Sequence, residues 1–154
     1  MRQPADPVIY CLRLLKTRLR SSHELDVALE RRGIADEERV TALQTLTELQ
    51  LVNDVHFATA WVHTRDKLSP RGESVLRLEL LQKGIAKEII EEALEQRRQP
   101  SDEQPTELEL ALELLRRKER QFAHLVPLVK QRRQIALLQR RGFSYALIKR
   151  ILVV

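Results

Sequence analysis

The chain has 154 residues, of which 43% are apolar, 32% charged and only 4% aromatic, and its net charge is +5. This is the composition of a folded, heavily charged protein whose core must be Leu, Ile, Val and Ala, which suits packed helices better than sheets. Four glycines give no phosphate-cradling loop and the lone Cys11 no internal disulfide; no apolar run approaches the ~18 residues of a membrane span.

Asp6-Pro7 supplies a cap and a first-turn proline for a helix over roughly 7–20, with Leu12, Leu15 and Leu19 on one face. Ser21 and Glu24 form a capping box for a second helix, which Gly33 stops. Asp36 caps a third, carrying Val40, Leu43 and Leu46. Asn53-Asp54 restarts the pattern with Phe57, Ala58, Trp61 and Val62 on one face. Ser69-Pro70 caps a fifth helix ending at Gly84, and a sixth carries Ile89, Ile90, Ala93 and Leu94. After a polar linker, Thr106 and Glu109 open a long helix through about Leu125. Pro127 starts an eighth helix, stopped by Gly142, and Ser144 caps a short ninth.

A recurring turn organises these elements. Arg32-Gly33-Ile34, Lys83-Gly84-Ile85 and Arg141-Gly142-Phe143 share the form basic–Gly–apolar, each with a Leu four residues before the Gly: Leu29, Leu80 and Leu138. A helix that ends on a left-handed Gly brings the following residue back onto that Leu. The basic residue before Gly meets the negative end of the helix dipole. The expected fold is therefore all-α: three tandem three-helix repeats, helix-turn-helix-like, in an elongated, curved array. Their expected limits are 7–52, 53–99 and 106–154, with 100–105 as linker.

Charge divides the chain unevenly. From Leu115 to Val154 eleven Lys/Arg face one acid, Glu119; from Ser101 to Leu114 there are five acids and no base; the first hundred residues sum to zero. Such a split points to a polyanion partner. The candidate basic strip is Arg116, Arg117, Lys118, Lys130, Arg132, Arg133, Arg140, Arg141, Lys149 and Arg150. Contact with single-stranded DNA, and in the same way with duplex, would run through phosphates, because no aromatic is interleaved with the arginines. Six such contacts on a single strand give a log–log salt slope of about −4.

Catalysis is not indicated. His56 and His63 stand seven apart on one helix without a Cys cluster, so no metal or other cofactor is implied. Carboxylate pairs such as Glu91 and Glu95 are what charged helices produce by default. The start Met1-Arg2-Gln3-Pro4 has no signal-peptide character, so a cytoplasmic, monomeric protein without a membrane partner is expected.

The motifs together resemble the RecX family, from about Tyr10 to Leu152. The carrying stretches are Arg18 to Gly33, Asn53-Asp54-x-x-Phe57-Ala58-x-x-Trp61-Val62, Glu79-Leu80-x-x-Lys83-Gly84-Ile85, and Arg140-Arg141-Gly142-Phe143-Ser144-Tyr145. The family often has a Gly where this chain has Gln50, and Gly-Pro where here Pro70 precedes Gly72. The resemblance implies a regulator that lies on the filament of RecA recombinase and single-stranded DNA and lowers its ATPase, strand-exchange and coprotease activities. From the residues alone, a RecA-independent DNA-binding protein and a helical protein–protein scaffold remain alternatives.

Overall fold

The computed structural model describes residues 6–99 and 101–152. Among them the chain forms nine α-helices: α1 (Pro7–Leu15), α2 (Ser22–Arg31), α3 (Asp36–Glu48), α4 (Asp54–Leu68), α5 (Glu73–Gln82), α6 (Lys87–Arg98), α7 (Glu107–Phe122), α8 (Pro127–Arg140) and α9 (Tyr145–Leu152). They group in threes, the third helix of each group packing on the first and the second. Each group closes its own core. Leu25, Leu29 and Leu46 centre the first, Leu76, Leu80, Ile90 and Leu94 the second, Leu138 and Ile148 the third, all with no accessible surface.

The three glycine turns form as the spacing predicts. Gly33, Gly84 and Gly142 have φ of 81°, 74° and 85°. The N–H groups of Ile34, Ile85 and Phe143 donate to the carbonyls of Leu29, Leu80 and Leu138 at 3.2, 3.1 and 3.1 Å. Those of the glycines donate to Glu30, Leu81 and Gln139. Both hydrogen bonds of the Schellman motif are thus present in every copy, and the apolar pairs they bring together are buried. A fourth such turn ends α3: Gln50 has φ 57°, and Leu51 donates to the Leu46 carbonyl at 2.9 Å.

Several local expectations shift. α1 stops at Leu15, where the Thr17 hydroxyl and N–H both bond the Leu14 carbonyl, so Leu19 lies outside the helix and is half exposed. Asp36 is the first helical residue rather than the cap, and its carboxylate holds Arg39 at 2.8 Å. Leu46 is buried as expected, but Val40 is 65% exposed, and Ala42 takes its place in the core face of α3. Ser69 ends α4, and Gly72 is the N-cap of α5. α7 ends at Phe122.

Consecutive repeats meet in one geometry. At each junction the glycine turn of the later repeat sits on the N-terminus of the second helix of the earlier one. The Lys83 carbonyl, which caps α5, accepts from the Ser21 hydroxyl at the start of α2 (2.6 Å). The Arg141 carbonyl, which caps α8, accepts from the N–H of Gly72 at the start of α5 (2.7 Å). The approach is tight. A Cβ on Gly84 would come within 2.3 Å of His23, and one on Gly72 within 2.1 Å of the Gly142 carbonyl group. Gly33, in the first repeat, has open space around it, so only its φ requires glycine.

Candidate nucleic-acid interface

The expected basic strip divides into three groups. The first is ion-paired, three cations against two carboxylates: Glu113, one turn back on α7, receives Arg116 at 2.7 Å and Arg117 at 2.9 Å, and Lys130 reaches Glu119 on α7. Glu113 is held down to about 2 by the hydrogen bonds from Arg116 and Arg117, so it is ionised wherever the protein is folded at neutral pH. A count of acids that begins at Leu115 leaves Glu113 outside the basic third. Its spacing of three and four from the two arginines was the signal.

Arg141 forms the second group. Its side chain turns inward at the second junction, where a terminal guanidinium nitrogen donates to Ser69 Oγ at 2.7 Å. Burial first, then Arg71, Arg140 and Arg65 nearby, lowers its hold on its proton. Since a guanidinium stays protonated in proteins, that direction marks a charge that is partly desolvated first and crowded by like charges second.

The third group is exposed and, among the described residues, makes no ion pair: Arg132, Arg133 and Arg140 on α8, and Lys149 and Arg150 on α9. Lys118 is half buried, likewise without an ion pair among the described residues. Tyr145, the first residue of α9, is 62% exposed one turn before Lys149. Two further cations, Arg65 and Arg71, lie outside the expected strip, in a second repeat whose charges cancel in total. Both lie by Arg141, and they share one carboxylate, Glu79, at 3.0 and 3.6 Å.

The acidic segment has local tasks. Thr106 and Glu109 make the expected capping box, and the backbone N–H of Thr106 holds the Glu109 carboxyl below its usual range. Glu107 lies 3.7 Å from Arg97, whose guanidinium is 6% exposed and also bonds Asp66 and the Arg71 carbonyl. Burial pushes the carboxyls of Asp66 and Glu107 up, and Arg97 pulls both back. This buried knot joins α4, α6 and α7 and floors an open groove lined by His56, His63 and Glu109. Among the described residues no group of three His, Cys, Asp or Glu side chains could hold a metal ion, and no helix is long and apolar enough to cross a membrane. Cys11 is buried, which raises its thiol pKa.

Comparison with known proteins agrees with the fold. The family profile described as RecX, second three-helix domain, matches residues 53–94, and that described as RecX, third three-helix domain, matches residues 106–152. A Mycolicibacterium smegmatis protein named Regulatory protein RecX is 34% identical over 137 residues, covering 89% of this chain and 72% of its own. One of the same name from Streptomyces coelicolor is 33% identical over 152 residues, covering 96% and 78%. The crystal structure of RecX from Lactobacillus salivarius superposes with a TM-score of 0.81 at 27% identity, covering 97% of this chain and 94% of that one. With three-helix units, glycine turns and sequence all in agreement, the chain belongs to the RecX family of regulatory proteins.

Proposed function

We propose that this chain binds the filament of RecA and single-stranded DNA and modulates it, mainly by inhibiting RecA ATP hydrolysis, strand exchange and coprotease activity. The family supports the partner, and the observation that carries the DNA contact is the cluster of cations Arg132, Arg133, Arg140, Lys149 and Arg150 on α8 and α9, exposed and without an ion pair among the described residues. The work divides along the repeats 7–52, 53–99 and 106–154. The first two, near neutral, meet protein; the third meets DNA phosphates. No catalytic step, metal or cofactor enters this reading, and the acting species is a cytoplasmic monomer.

The exposed cations also favour a second reading, a DNA-binding protein indifferent to RecA. One experiment separates the two. Sub-stoichiometric protein is added to RecA, single-stranded DNA and ATP. Inhibition of hydrolysis that excess DNA does not rescue supports filament modulation, and full rescue supports competition for DNA. If hydrolysis is unaffected and DNA is not retained, both readings fail, and a protein scaffold stands in their place.

A further inference from the structure

The two repeat junctions share a backbone geometry but differ in charge. In the first junction Ser21 is the N-cap of α2 and Glu24 the third helical residue; Lys83 caps α5 above them. Glu24 accepts from Arg18 at 3.1 Å and from Lys83 at 2.8 Å, so this junction carries its own anion between two cations.

In the second junction Gly72 is the N-cap of α5, and the third helical residue is Val75. Arg141, which caps α8, stands where Lys83 stands in the first. No carboxylate takes the place of Glu24. The Val75 side chain packs instead against the glycine turn, its Cγ2 within 2.6 Å of where a Gly142 Cβ would lie. The nearest acid in sequence, Glu73, is drawn away by Arg98 at 2.6 Å. Among the described residues the Arg141 side chain finds the neutral Ser69 hydroxyl and no carboxylate. Arg71 Nε is buried without a hydrogen-bond partner, 3.6 Å from the Glu79 carboxylate that Arg65 holds more closely, and Arg140 is exposed with no ion pair among the described residues. Arg65 is already committed to Glu79 and stacked on Trp61.

We propose that the junction between the second and third repeats is a phosphate-binding site, with Arg71, Arg140 and Arg141 as donors, in the place that the Glu24 carboxylate fills at the first junction. Guanidinium groups match phosphate oxygens with paired donors. A phosphate there offsets Arg140 and Arg141, which make no ion pair among the described residues, beside Arg71, whose one carboxylate, Glu79, is shared with Arg65. The same chemistry serves orthophosphate and a phosphodiester of DNA. The DNA source rests on the DNA contact proposed above; the site itself does not.

Orthophosphate titrated into the full chain at constant ionic strength, against chloride, tests the site. Its melting temperature should rise with phosphate and not with chloride, and the side-chain Nε–H signals of the three arginines should shift. Val75→Glu supplies the missing carboxylate internally. It should raise the melting temperature without phosphate and lose at least tenfold in phosphate affinity. Arg71→Gln with Arg140→Gln, which leaves the Arg141–Ser69 hydrogen bond in place, should lose phosphate affinity too. Undiminished phosphate binding in both variants, or an equal response of the wild type to chloride, overturns the proposal. A dT oligonucleotide then identifies the source: if DNA supplies the phosphate, Val75→Glu removes one phosphate from the bound strand's footprint and flattens the salt slope by about 0.7. An unchanged slope with orthophosphate binding abolished upholds the site and assigns it to free phosphate. RecA inhibition is read separately, so its absence rejects the filament reading without touching this one.

Discussion

Replacing Glu24 by Gln removes the anion that lies between Arg18 and Lys83 at the first junction and leaves the two cations facing each other across it. Burial raises the Glu24 pKa, but hydrogen bonds from Arg18, Lys83 and the Ser21 N–H outweigh it and bring it from 4.5 to about 2. The sign follows from linkage. A folded-state pKa below the unfolded one contributes stability that is complete above the unfolded value and is lost as pH falls toward the folded one. The full shift corresponds to roughly 3 kcal/mol at 1.36 kcal/mol per unit, and screening of the half-exposed Arg18 reduces it to about 2 kcal/mol. Gln keeps the capping-box hydrogen bond, so the helix cap is not the quantity being tested. Urea unfolding followed by circular dichroism should show the variant weaker by about 2 kcal/mol at pH 7 and close to wild type near pH 2. Equal destabilisation at both pH values would refute the account, because a packing defect does not titrate.

The remaining predictions use the same assays. Gln50→Gly relieves a left-handed residue at φ 57° and should stabilise the fold by about 1 kcal/mol, read as a higher urea midpoint at unchanged slope. Gly33→Ala and Gly142→Ala share the φ penalty of about 1 kcal/mol. Only the second also sets a Cβ at 2.6 Å from Val75 and 2.7 Å from Ser74; its loss in the urea midpoint should therefore be clearly the larger. Arg140→Glu with Lys149→Glu reverses two exposed cations that make no ion pair among the described residues, and should weaken filament and single-stranded DNA binding with helicity intact, flattening the salt slope by about 1.4. Unchanged inhibition of RecA would remove these residues from the mechanism.

What could be read in the sequence was what the chain decides within a few residues. The glycine turns close through hydrogen bonds between positions five apart, and the capping boxes between positions three apart, so both were visible as spacings. Pairings made across the fold were not. Ser69-Pro70 reads as a helix start, but the start falls at Gly72, which packs against the distant Gly142. Arg141 reads as one more strip cation, yet the Gly72 N–H fixes its carbonyl and turns the residue into the junction. Arg65 and Arg71 escaped because a sum over the second repeat cancels charges that the fold separates. Val40 fits the helical period of α3, but the face that meets α1 and α2 is centred on Ala42 and Leu46.

Each internal glycine turn has two tasks, and this links the fold to the proposed binding. Gly84 and Gly142 end a helix within their own repeat and, lacking a Cβ, let that helix end touch the repeat before it. A substitution there acts on a repeat and on its interface together, so stability is coupled along the array rather than stored in separate units. The coupling also fixes where charge lies. Because the Arg141 backbone is bonded to Gly72, the cations of α8 and α9 hold one position relative to Arg65 and Arg71 of the second repeat. A partner that meets the third repeat through its phosphates therefore meets the edge of the second as well. The surface proposed for DNA then begins at the second junction, not within α7 where the sequence turns basic.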